Sequence, residues 1–158
     1  MGLREVNKEL KRMDKAEVLK LISDMYKKIP AVKEYLTVFA TGDISQLTEK
    51  YKKEIEKYVF PHGREMILRD SEARKLIRTI RKMKIVELNI ELELHYVDSC
   101  LEIIEDFGYW DDGYYVNVAK MYYNTIDGII EIGKEKEYEK RLDSISKRAF
   151  DFGLELEY

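Results

Sequence analysis

The sequence predicts an all-α protein, an irregular bundle of about eight helices. Three observations carry that expectation. Apolar residues recur every three or four positions along most of the chain. Only two prolines and eight glycines interrupt 158 residues, and they sit where periodic stretches begin or end. Charged residues make up 37% of the chain, and with sustained apolar periodicity this means solvated helix faces, not disorder.

The first helix is expected from Leu3 to Arg12, with Leu3, Val6, Leu10 and Met13 along one side. Asp14 opens the second, and Glu17 three residues later completes a capping box. Val18, Leu21, Ile22, Met25 and Ile29 form its apolar stripe. Pro30 ends that helix and suits the first turn of the next, where a missing N–H is not needed. The third helix covers Ala31 to Ala40 and stops before Gly42. Asp43 is the next candidate N-cap. The fourth helix carries Leu47, Tyr51, Ile55, Tyr58 and Val59 and breaks at Pro61-His62-Gly63.

A connector leads to the fifth helix, Ser71 to Met83, with Ala73, Leu76, Ile77 and Ile80 inward. The stretch after it has two readings. Val86, Leu88, Ile90, Leu92 and Leu94 alternate strictly, as in a strand, whereas Val97, Cys100, Leu101, Ile104 and Phe107 have helical spacing. A lone strand would leave its backbone unpaired, and no partner strand is evident. One long buried helix from Val86 to Phe107 is therefore expected. A turn at Gly108–Asp112 follows, with Asp111 or Asp112 capping a seventh helix that runs to Gly133. The last helix covers Glu137 to Phe150. Short links between helices imply packing as successive antiparallel pairs in one domain over residues 1–158. The order leaves room for a solenoid-like stack, but no fixed repeat is present.

Several blocks resemble a bacterial family of small all-helical proteins of unknown function. They are Met25-Tyr26-Lys27-Lys28-Ile29-Pro30-Ala31-Val32-Lys33-Glu34-Tyr35-Leu36, Tyr51-Lys52-Lys53-Glu54-Ile55 with Phe60-Pro61, and Ser71-Glu72-Ala73-Arg74-Lys75-Leu76-Ile77. His95-Tyr96-Val97 and Phe107-Gly108 extend the likeness. The resemblance implies a single helical domain and brings no activity, cofactor or catalytic residue with it.

Charge is divided along the chain. Residues 1–84 hold 21 Lys/Arg against 13 Asp/Glu, and residues 85–158 hold 7 against 18. The split fits two binding faces, or neutralisation within the fold. Cys100 is the one cysteine, which leaves no internal disulfide and points to a reducing compartment. Gly2 invites a myristoylation reading, but Val6 stands where Ser or Thr is expected. With no signal-like or membrane-spanning stretch, the expectation is a cytoplasmic protein that does not engage membranes.

Two surfaces carry the most suggestive chemistry. Arg74, Arg78 and Arg81 or Lys82 recur at helical spacing, and Arg64 and Arg69 extend that face. Such a row suits an acidic partner or a line of phosphates. Tyr109, Trp110, Asp111, Asp112, Tyr114 and Tyr123 form an acidic, aromatic surface of the kind favoured in protein contacts.

Metal chemistry finds only His62, His95, Glu91 and Asp98, with neither paired Glu-x-x-His nor His-Glu-x-x-His motifs. Ser99 and Cys100 are the nucleophile candidates, and Cys100 falls in the buried register. No cofactor motif is present. The leading reading is a non-enzymatic interaction module that binds a protein partner or a second copy of itself. The alternative is a nucleic-acid-associated protein using the Arg/Lys face, and an enzyme ranks third.

Overall fold

The computed structural model describes residues 2–62, 67–108 and 110–157. Among them are eight helices and no strand: α1 (Leu3–Leu10), α2 (Lys15–Lys28), α3 (Pro30–Thr41), α4 (Ser45–Val59), α5 (Asp70–Arg81), α6 (Val86–Phe107), α7 (Asp112–Glu131) and α8 (Glu135–Asp151). The chain divides into two compact units, residues 1–43 and 44–158.

The first unit holds α1, α2 and α3. Asp14 Oδ1 accepts from Glu17 N at 2.8 Å, and Glu17 Oε2 accepts from Asp14 N at 2.8 Å, so the expected capping box starts α2. Pro30 occupies the first turn of α3, and α2 packs on α3. None of the three helices contains a buried residue. Their apolar stripes are present, but the unit has no core.

The second unit is built around α6, which packs on α4, α5, α7 and α8. Leu88, Ile90, Leu92, Leu94, Tyr96, Val97, Cys100, Leu101, Ile103 and Ile104 are all buried. They point to every side of the helix, which explains how an alternating sequence sits in a helix: neighbours cover it all round. Ile55 and Val59 from α4, Ala73 and Ile77 from α5, Val118 and Tyr122 from α7, and Leu142 and Ala149 from α8 complete the core. Pairing is thus not confined to neighbours in sequence, since α6 serves four helices.

Local chemistry sets the boundaries. Asp111 caps α7 by accepting from Tyr114 N at 2.8 Å. α4 begins at Ser45, with Ile44 in the cap position directly after Asp43. α7 closes where Gly133 takes a left-handed φ of 65° that disfavours other residues. At Gly128, inside α7, an added Cβ would lie 3.3 Å from Ile90 Cγ1, so the missing side chain lets α7 approach α6 closely. The tail turns back on its own unit: Leu156 is buried, and Ser146 Oγ donates to its carbonyl.

Candidate functional site

The two surfaces expected from sequence meet at one cleft in the second unit. Ile67, Leu68, Asp70 and Arg74 line one side, and Trp110, Asp111, Gly113, Tyr114 and Asn117 line the other, around about 530 Å³. Arg74 is paired with Asp70 one turn earlier, and it donates to Tyr96 Oη at 3.0 Å. Tyr96 is fully buried, so this contact anchors Arg74 to the core. Tyr114 is buried too, and its hydroxyl donates to Cys100 O at 3.2 Å. The Trp110 ring, half-buried, lies 5.8 Å from the Tyr114 ring at a 50° tilt. Arg64 and Tyr109 lie outside the described residues.

The rest of each surface is dispersed. Arg81 turns from the basic row to Glu93 on α6, with Nε 2.7 Å from Oε1. Arg69 donates to Lys57 O at 3.2 Å and sits over the Tyr58 ring. Lys75 pairs with Glu72, whereas Arg78 and Lys82 stand exposed. Much of the row expected to meet phosphates is therefore held by this chain's own carboxylates and carbonyls. Asp111 is occupied as a cap, and Asp112 is exposed in the first turn of α7. Tyr123, half-exposed, stands edge-on to Tyr122, away from the cleft lining, and accepts from Glu157 N at 3.5 Å.

Arg81–Glu93 and Lys52–Glu91 pair the basic and acidic halves of the chain, and the acidic half also carries an ion-pair ladder of its own. Glu91, Asp98 and Glu105 are spaced seven apart on α6, and Arg141 and Arg148 are spaced seven apart on α8. Arg141 Nη1 donates to Glu91 Oε2 at 3.0 Å, and Arg148 Nη1 to Asp98 Oδ1 at 3.0 Å. Arg148 also grips Glu105 through Nε at 2.8 Å and Nη2 at 3.0 Å. Burial works to raise the Glu91 carboxyl, but Arg141 and the Tyr138 hydroxyl outweigh it and hold the group below the usual range.

Burial shifts the pKa of three partly or fully buried groups. Burial pushes Glu93 above the ordinary carboxylate range, against the pull of Arg81. Burial lowers the His95 imidazole, although Glu56 Oε1 lies 2.9 Å from Nε2 and opposes it. Burial pushes the Cys100 thiol up to about 12, so it is a protonated core residue at neutral pH and not a thiolate. Ser99 is buried beside it. Among the described residues, no three His, Cys, Asp or Glu side chains are grouped to hold a metal ion, and no helix is long and apolar enough to cross a membrane.

Sequence reasoning missed the apolar face of the first unit. Leu3, Val6, Leu19, Leu21, Ile22, Met25, Tyr26, Ile29, Tyr35 and Phe39 are each more than a third exposed, and Phe39 reaches 79%. The signal was visible in part, because α2 carries apolar residues over nearly half its circumference, more than a single neighbour covers. No family model, curated protein or solved structure matches the chain.

Proposed function

We propose that the protein is a helical interaction module that associates with a second copy of itself through the first unit, residues 1–43. One observation carries the reading: three helices, with Ile29 between the last two, bear ten large exposed apolar side chains and enclose no buried residue. Helices this short are marginal in water without tertiary packing, so the unit needs a cover. A second copy is present wherever the chain is.

Area and charge both suit that occupant. A large side chain carries roughly 150–250 Å² of surface, so the ten exposed fractions amount to on the order of 800 Å² per copy, the size of one side of a specific interface. Residues 1–43 hold 9 Lys/Arg and 7 Asp/Glu, interleaved, so two copies meet without a strong like-charge field. The basic and aromatic surfaces suit a partner less well, because much of Arg69, Arg74, Arg81 and Tyr114 is committed within the chain.

Light scattering over a concentration series checks the proposal. The expected result is a dimer that persists in high salt, because the contact is apolar. The Ile22→Glu/Phe39→Glu double variant is expected to be monomeric with its helical content retained. A wild-type monomer at every concentration overturns the reading, and so does a dimer that the double variant leaves intact.

A further inference from the structure

We propose that the seam between α7 and α8 is a docking site for an extended segment of a partner protein, held closed by this chain's own residues 154–157. α8 ends at Asp151, Gly153 takes a left-handed φ of 77°, and the chain doubles back. Three extended residues cover about 10 Å, and seven helical residues cover about the same length. Leu156 is thereby returned to the level of Ser146. Leu156 is 2% exposed, whereas Glu155 and Glu157 on either side of it face solvent. The segment is held as a docked extended peptide is held, with one apolar anchor inserted and its neighbours outward.

Side chains of both helices read the main chain of this segment. Ser146 Oγ on α8 donates to Leu156 O, and Tyr123 Oη on α7 accepts from Glu157 N at 3.5 Å. Beyond Leu154, no backbone-to-backbone hydrogen bond holds the segment among the described residues. One buried leucine and two hydrogen bonds are therefore set against the entropy of ordering the segment, and these opposing terms are of similar size. Such a contact opens locally while the core stays folded. A competing segment must supply the same features, an extended backbone and a leucine in the place of Leu156. Tyr123, expected from sequence at a protein contact, belongs to this seam. The contact is made within the second unit, so it is independent of self-association through the first.

The test uses the full-length protein and the peptide acetyl-Phe-Gly-Leu-Glu-Leu-Glu-amide, the sequence of residues 152–157. Binding is followed by amide NMR shifts. Gly153→Val strains the turn and leaves Leu156 and both helices unaltered, so it unlatches the segment. Leu156→Asp unlatches it by removing the anchor. Both variants are expected to bind the peptide with saturable shifts at Tyr123 and Ser146. The unaltered chain is expected to bind it at least tenfold more weakly, because its tethered segment competes at high effective concentration. A peptide with Asp in place of its second leucine is expected to cause no shift. Ser146→Ala added to Gly153→Val is expected to weaken binding several-fold. No saturable shift in the folded Gly153→Val variant overturns the proposal, as does equal binding by the unaltered chain and both variants. A dimer that Leu156→Asp disperses would assign the seam to the tail of a second copy, and that result also overturns it.

Discussion

Glu93 brings an ionisable carboxyl into the interior of the second unit, held by Arg81 and Thr125. Such a pair costs desolvation, and breaking it costs more than replacing it. Arg81→Met is expected to destabilise the protein by about 2–3 kcal/mol, less than for a fully buried pair because Arg81 keeps a third of its side chain in solvent. The double variant Arg81→Met/Glu93→Leu is expected to regain most of that loss. Denaturant unfolding of both variants checks the prediction, and two equal losses would sink it. His95 gives the pH counterpart. Its folded value lies below the ordinary 6.5, with Glu56, Lys52 and Asp98 as its charged neighbours. The folded state therefore binds the proton less readily than the unfolded chain. This contribution is whole above pH 6.5 and declines as pH falls below that value toward the folded one. Melting temperatures across this window are expected to drop in the wild type and to flatten in His95→Gln.

Helix α6 shows what sequence patterns convey at the scale of an element. Its two conflicting periodicities were resolved by backbone accounting, and the helix runs over Val86–Phe107 as that argument requires. The Asp14–Glu17 box, Pro30 and Asp111 were legible because each acts within three or four residues of itself. What was not legible acts across elements. Arg74 and Arg81 read as a solvated row, because nothing local shows that Asp70, Tyr96 and Glu93 stand in their path. The α6–α8 ladder carried a faint signal, acids seven apart facing arginines seven apart, but only with the pairing of those helices known. Arg148 is its best-held rung. Arg148→Lys loses the two-pronged grip on Glu105, and the expected cost is about 0.5–1 kcal/mol, because both partners are about one-third exposed. Thermal melts in low and high salt check this. Equal stability in low salt would show that the grip contributes nothing.

At the scale of the whole molecule, the buried core and the widest exposed apolar face belong to different stretches of chain. Among the described residues, all buried ones lie between Leu47 and Leu156, in the second unit, whereas the first contributes exposed apolar stripes and no buried residue. That boundary was not visible in the sequence, because Gly42 looks like any other helix stop and the apolar periodicity runs on across it. The distinction lies in how much neighbour each stripe receives. α6 is covered by four helices, whereas α2 packs chiefly on α3 and keeps Leu19, Ile22, Met25 and Tyr26 at the surface. A chain of residues 44–158 is thus expected to fold by itself, because it retains the whole core. Its unfolding should remain cooperative, with a stability close to that of the full chain measured where the latter is monomeric. It should also be monomeric at every concentration. Calorimetry and light scattering on this fragment separate the two roles. A fragment that unfolds without cooperativity would show that residues 1–43 contribute to the fold. A fragment that still dimerises would place the self-contact in the second unit.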